Sequence, residues 1–179
     1  MSGSNADITP AVTITSSSLD LPDFGVFDKS GDLWVSGDGN AEILEFTADQ
    51  LGSSGAKTPS VILSSNSGSI DQPGEMAFDS KGNLWVANYA NETVVMFAKK
   101  DLSASGSPTP KVTLSSSVFD GPSGLVFDSG HNLWVSNYNN GDISKFSSKQ
   151  LKKTGAPTPS VLLTGVAPNS FEIIFGPVF

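Results

Sequence analysis

Short apolar runs alternate with clusters of turn residues along most of the chain. In one stretch, apolar segments at 124–127, 133–136, 142–146 and 160–163 are separated by segments rich in Gly, Asn, Ser and Pro. Runs of this length, bounded by turn residues, predict β-strands. The abundance of Gly, Ser, Thr, Asn and Pro argues against a helical protein. The pattern therefore predicts an all-β fold with four strands, A to D, in this stretch.

The same pattern recurs about every 50 residues. The phrases FDKSGDLWV, FDSKGNLWV and FDSGHNLWV place tryptophans at 34, 85 and 134, which are 51 and 49 residues apart. A period of this length is typical of repeat folds, and four short strands per repeat favour a β-propeller. We expect propeller repeats over 10–179, with full blades at about 22–64, 73–114 and 122–164. Partial strands are expected at 10–15 and 171–176, after a flexible segment at 1–9.

Strand B of each repeat is apolar on both faces. In the third copy, Leu133 and Val135 point to one face and Trp134 to the other. Such a strand needs cover on both sides, which stacked blades supply. We therefore expect each tryptophan to lie between neighbouring blades.

The stretch FDSKGNLWVANY, preceded by Pro73-Gly74, resembles the NHL-type propeller repeat. It is also similar to repeats of gluconolactonase-like, senescence-marker-like and virginiamycin-lyase-like propellers. The resemblance covers about residues 10–175 and implies a β-propeller. It leaves the function open, because such propellers serve both as binding platforms and as enzymes.

Polar residues recur at one end of the predicted blades, where the D-to-A connections and the B-to-C turns meet. An aspartate stands two residues before the proline of three connections, and Glu75 and Asp23 are close by. The B-to-C turns add Asp38, Asn40 and two Asn-Tyr pairs.

The candidate ligand-binding residues are Asp20, Asp71, Asp120, Asn88, Tyr89, Asn137 and Tyr138. Asp20, Asp71, Asp120 and Glu75 are the candidate ligands for Ca²⁺ or Mg²⁺, which prefer oxygen donors. Asp and Asn at such positions also form turns by bonding their own backbone, so the sequence leaves both interpretations open.

The net charge and the composition argue against several classes of partner and of chemistry. The net charge of −8 includes no basic footprint for nucleic acid, and no apolar stretch is long enough to cross a membrane. The chain has no cysteine, so neither disulfides nor thiolate chemistry is expected. The Ser-, Thr- and Asn-rich composition favours an extracellular or periplasmic location.

Two functions remain after this reading. The first is a non-catalytic binding or scaffold module for a carbohydrate, a protein or a small polar molecule. The second, implied by the resemblance, is a metal-assisted hydrolase or lyase of the gluconolactonase-like group. The virginiamycin-lyase-like mechanism relies on a histidine near the metal. The single histidine, His131, falls in an A-to-B turn at the opposite end, which favours the binding module.

Three blades are too few to close a propeller. We therefore expect either a homodimer or the remainder of a longer propeller.

Overall fold

The computed structural model describes residues 9–165 and contains three four-stranded antiparallel sheets, each in sequence order. Blade 1 consists of β2 (Pro22–Phe27), β3 (Leu33–Gly37), β4 (Glu42–Phe46) and β6 (Val61–Leu63). Blade 2 consists of β7 (Pro73–Phe78), β8 (Leu84–Asn88), β9 (Thr93–Phe97) and β10 (Val112–Leu114). Blade 3 consists of β11 (Pro122–Phe127), β12 (Leu133–Asn137), β13 (Ile143–Phe146) and β14 (Val161–Leu163). The prediction of an all-β propeller of four-stranded blades is confirmed.

Two further strands lie outside the blades. The strand β1 (Ile14–Thr15) pairs in parallel with β5 (Gly55–Ala56), which lies in the long loop of blade 1. The outermost strands of blades 1 and 2 make the same kind of parallel bridge to the next blade, from Leu63 to Gly106 and from Leu114 to Gly155. The strand β1 thus sits against blade 1 as β6 sits against blade 2. The strand predicted at 171–176 lies outside the described residues.

Among the described residues, helical structure is confined to the long loops between the third and fourth strands of each blade. It comprises the helix α1 (Ala48–Leu51) and two 3₁₀ turns, Lys99–Asp101 and Gln150–Lys152. A capping box at Thr47 and Gln50 fixes the start of α1. Within residues 9–165, no helix has the length and apolarity needed to cross a membrane.

The core lies between the blades, as the apolar faces of strand B predict. Trp34 of blade 1 and Trp85 of blade 2 are each 2% exposed, and each packs against the following blade. The rings of Phe78 and Phe127 meet these indoles edge-on, with centroids 6.1 and 6.0 Å apart. The interpretation of these two tryptophans as inter-blade core is confirmed. Trp134 is half-buried, because the described residues include no blade beyond blade 3.

The innermost strands of blades 2 and 3 approach each other closely. A Cβ atom on Gly74 would lie 2.7 Å from the carbonyl oxygen of Ser123, so the strand can carry only glycine there without moving. One residue further along, Glu75 Oε2 accepts a hydrogen bond of 2.8 Å from the backbone N–H of Leu125. This contact joins the two blades at their inner edge and fixes the position of the adjoining loops.

Candidate functional site

The D-to-A connections and the B-to-C turns meet at one end of the blades. Three backbone hydrogen bonds of about the same length join them, one in each blade: Asp38 to Leu21, Tyr89 to Gln72 and Tyr138 to Gly121, each N–H to carbonyl oxygen at 2.8–3.1 Å. The residue whose carbonyl oxygen accepts this bond stands immediately before the proline of each connection. This residue has a positive φ in all three blades, at 48°, 46° and 65°. The repeated kink turns each connection towards the start of the innermost strand.

A cavity of about 180 Å³ opens where these turns converge. Two positions of the repeat supply most of its wall. The residues that follow the prolines are Asp23, Gly74 and Ser123, and the first residues of the B-to-C turns are Asp38, Tyr89 and Tyr138. Gln72 completes the lining. Because equivalent residues of all three blades line it, the cavity follows the inner edge of the propeller.

Two carboxylates give the cavity its negative charge. Burial raises the pKa of Asp23, and the neighbouring charge of Asp38 raises it further. The Oδ1 atom of Asp38 is buried and has no hydrogen-bond partner among residues 9–165. A buried carboxylate oxygen without a donor is costly, so a cation or a hydrogen-bond donor is favoured at this position.

The two tyrosines give the cavity an aromatic side. Their rings meet edge-on with centroids 5.9 Å apart. The Tyr89 hydroxyl donates a hydrogen bond of 2.9 Å to Asn139 Oδ1, and Asn139 Nδ2 donates one of 2.9 Å to Asp120 Oδ1. Tyr89 of blade 2 is therefore held by blade 3. An aromatic wall facing two carboxylates can contact both the apolar and the polar faces of a small ligand.

The other predicted site residues lie around this cavity and outside its lining. Asn88 and Asn137 are fully buried. Their Oδ1 atoms accept the backbone N–H groups of Asp71 and Asp120, both at 3.1 Å, and their amide groups donate to the preceding connections. These two asparagines fasten the connections to strand B, as the turn interpretation requires.

The predicted carboxylate ligands are not gathered into one cluster. Asp20 lies over Gly39, Asp120 is bonded to Asn139, and Glu75 accepts from Leu125. In the described part of the chain, these four residues belong to no group of three acidic or histidine side chains whose ligand atoms lie within 4.8 Å of one another. The four residues are Asp20, Asp71, Asp120 and Glu75. A metal ion at these four residues stays a prediction.

Sequence reasoning named Asp23 and Asp38 only as neighbours of the site, and it missed Gln72 and Ser123. The signal was available in the repeat. The residue after each connecting proline falls at a register shift between strands A and B, which the structure shows in all three blades. A bulge at the start of a strand redirects side chains there.

The aspartates at the other end of the blades cap the A-to-B turns. Asp28, Asp79 and Asp128 each accept two backbone N–H groups of the A-to-B turn through Oδ1. His131 lies in the third of these turns at φ 58°, with its N–H bonded to the Asp128 carbonyl oxygen. It does not line the cavity at the opposite end.

No protein-family model matches the chain, and no curated protein does. Solved structures do match. The chain is similar to a streptogramin B lyase at 14% identity and a TM-score of 0.56, with 83% of this chain and 41% of that one covered. It is similar to catalytically inactive H270A virginiamycin B lyase from Staphylococcus aureus with quinupristin at 14% identity and a TM-score of 0.58, with 84% and 43% covered. Hydrazine synthase from Kuenenia stuttgartiensis matches at 13% identity and a TM-score of 0.62, with 88% and 40% covered.

These matches define the class of fold. The chain has a virginiamycin-lyase-like β-propeller fold, and it spans less than half the length of each of these three neighbours. At 13–14% identity the likeness extends to the fold and not to the chemistry.

Proposed function

We propose that the chain is a non-catalytic propeller module that binds a small polar ligand in the cavity at the inner edge of the blades. The observation that carries this proposal is the buried, unpartnered Oδ1 of Asp38 opposite the Tyr89–Tyr138 pair. A ligand with several hydroxyl groups, such as a monosaccharide, offers donors to the carboxylates and an apolar face to the tyrosines.

The arrangement supports binding more than it supports catalysis. Two carboxylates and two phenols line the cavity, and His131 lies outside it. A lyase or hydrolase of the related propellers needs a general base in reach of the bound substrate. Burial raises the pKa of Asp23, which makes this residue the candidate base for the alternative.

A thermal-shift screen followed by calorimetry tests the proposal. Monosaccharides, polyols and small organic amines are added singly, with EDTA or with Ca²⁺. We expect at least one class to raise Tm, and the shift to disappear in Asp38→Asn. The matched control is Asp71→Asn, which changes a carboxylate of the same end outside the cavity and should keep the shift.

Two results would contradict the proposal. The first is a ligand response that survives Asp38→Asn and is lost in Asp71→Asn, because binding would then lie outside the cavity. The second is chemical conversion of a bound ligand, followed by chromatography, that stops in Asp23→Asn. That result would establish the enzymatic alternative.

A further inference from the structure

Three carboxylates cluster at the opposite end of blade 1. Asp28 and Asp32 belong to the turn between β2 and β3, and Glu45 lies on β4 directly across from Trp34. One oxygen of each lies within 4.8 Å of the others, and all three side chains are half-buried. No other such group exists within residues 9–165.

Blades 2 and 3 show how the same positions are filled without this repulsion. Asn83 takes the place of Asp32 in blade 2, and Asn132 takes it in blade 3. Their amide groups donate to the neighbouring aspartates, Asn83 Nδ2 to Asp79 at 2.7 Å and Asn132 Nδ2 to Asp128 at 2.9 Å.

At the position of Glu45, too, the other two blades carry a side chain without negative charge. Met96 stands there in blade 2 and Lys145 in blade 3, each paired with the tryptophan of strand B. Lys145 forms an ion pair of 3.2 Å with Asp128. Blade 1 therefore has acids at two positions, Asp32 and Glu45. The other blades have an asparagine donor at the first position and a neutral or cationic side chain at the second.

The indole of Trp34 supplies an independent observation. Trp34 is 2% exposed, and its buried Nε1 has no acceptor among the described residues. The equivalent Trp85 and Trp134 donate to Asp79 at 3.4 Å and to Asp128 at 3.1 Å. The N–H groups of both counterparts bond the turn aspartate that Asp28 matches, whereas Trp34, which lines the groove together with Asp28 and Glu45, lacks that partner.

From the cluster and the unpartnered indole we infer a Ca²⁺ site formed by Asp28, Asp32 and Glu45. Water molecules of the hydrated ion complete its coordination and supply an oxygen acceptor for Trp34. The groove beside the cluster has a volume of about 390 Å³ and runs between blades 1 and 2, so the ion and its water have access. The site is separate from the cavity of the proposed function and does not depend on it.

The hydrogen bonds of the carboxylates leave one oxygen of each for the ion. Asp28 Oδ1 accepts from the backbone of Ser30 and Asp32, Asp32 Oδ1 accepts from Ala48 at 2.7 Å, and Glu45 Oε2 accepts from the Ser60 hydroxyl at 2.5 Å. These contacts hold each group in place. Because Ca²⁺ binds oxygens at about 2.3–2.6 Å, two of its ligands can stand at most about 5.2 Å apart, and the three carboxylate oxygens satisfy this limit.

The three carboxylates crowd one another, and a divalent cation would relieve their mutual repulsion.

Lysine side chains are the competing source of positive charge. Lys29, Lys81 and Lys99 line the groove, and Lys29 Nζ donates to the Ser80 carbonyl oxygen at 3.1 Å. In the described part of the chain, the ion pairs within 4 Å are Lys100–Asp101 and Lys145–Asp128, and neither involves the cluster. The lysines therefore leave the three carboxylates without a paired counter-charge.

Terbium luminescence excited through the indole tests the site directly. We expect saturable Tb³⁺ emission from the unmodified chain and its displacement by Ca²⁺. The double variant Asp32→Asn/Glu45→Met, which copies blade 2, should bind Tb³⁺ at least about tenfold more weakly. Glu92→Gln, which changes an exposed acid in the B-to-C turn of blade 2, should bind it unchanged.

A thermal melt gives a second readout that does not depend on Trp34. At about 5 mM Ca²⁺, a site of Kd about 10⁻⁴ M should raise Tm by about 5 °C. The double variant should lose this shift and, without Ca²⁺, melt at or above the Tm of the unmodified chain, because its repulsion is removed. If it does not fold, the single variant Asp32→Asn is used for the same comparison.

Three binding results would overturn the inference. They are the absence of saturable Tb³⁺ emission, equal Tb³⁺ affinity in the unmodified chain and the blade 2 copy, and loss of binding in Asp38→Asn alone, which would place the ion in the cavity at the other end. A blade 2 copy that melts below the unmodified chain without Ca²⁺ would show that a lysine already neutralises the cluster, and would also overturn it.

Discussion

Replacing Trp85 by alanine should remove a large part of the stability of the chain. Trp85 is 2% exposed and lies between blades 2 and 3. A tryptophan buries about 150–250 Å², which at about 25 cal/mol per Å² corresponds to an upper bound of about 4–6 kcal/mol. Measured losses for such truncations are about 3–5 kcal/mol. We expect about 4 kcal/mol, which also includes the weak 3.4 Å hydrogen bond to Asp79.

A chain of this size loses about 2–4 °C of Tm for each kcal/mol, so Trp85→Ala should lower Tm by about 8–16 °C. Calorimetry or circular dichroism in urea measures the loss. Trp85→Phe is the control, because it keeps an aromatic ring beside Phe127 and should lose less than half as much. A Tm within about 2 °C of the parent would show that the blades are not held together through this indole.

Three further predictions follow from the same contacts. Phe127→Ala should cost about 2 kcal/mol, because its ring packs on Trp85, whereas Phe27→Ala, at the same position but 61% exposed, should cost under about 0.5 kcal/mol in a urea melt; equal costs would contradict the stacking. The pKa of Asp128 is held well below 3.8: burial raises it, but bonds from Asn132, Trp134 and Lys145 outweigh burial. Its stabilising contribution is therefore present above about pH 4 and lost as the pH falls through the lower folded pKa, so Asp128→Asn should flatten the acid side of a pH–Tm profile, and an unchanged slope would refute this. We also propose that the exposed strand β14 of blade 3 associates with a second copy or with further propeller chain; light scattering should then give more than 18.6 kDa for the chain alone, and a monomer at micromolar concentration would contradict the homodimer.

The repeat made the fold predictable because each copy carries the same requirements. The Phe-Asp turn, the two-faced strand B and the connecting proline recur at fixed offsets. Each has one physical solution that the structure repeats: Asp28, Asp79 and Asp128 cap the turns, and Trp34 and Trp85 fill the spaces between blades. The three copies can be compared with one another within a single chain, and features that recur in all three indicate what the fold requires.

The site was less predictable because a side chain's position in a loop depends on backbone bends that composition does not reveal. The sequence favoured the aspartates before the prolines, Asp20, Asp71 and Asp120, over the residues after them. The left-handed residue and the bulge at each proline send the second set, with Asp23 among them, into the cavity.

In blade 1, the asparagine that donates to the connection stands at a different position of the turn from its counterparts in blades 2 and 3. Gly37 stands where Asn88 and Asn137 bind the connections, and Asn40, three residues later, donates instead to the Ser18 carbonyl oxygen at 3.3 Å. A contact required by the fold can therefore move to another residue of the same turn. Position-by-position comparison of the copies would have counted this exchange as a functional difference.

The acidic cluster of blade 1 differs from that exchange, because no other residue restores what was lost. Asn40 restores the donation to the carbonyl oxygen of the connection, whereas no residue among 9–165 restores the amide that blades 2 and 3 have at the position of Asp32, or the acceptor of the Trp34 indole. Blade 2, with Asn83 and Met96 at the positions of Asp32 and Glu45, keeps the same sheet and the same inter-blade packing. Packing therefore does not require acids at Asp32 and Glu45. The turn aspartate is common to all three blades, and blade 1 adds two further acids beside it; the proposed cation accounts for both added acids and for the unpartnered indole together.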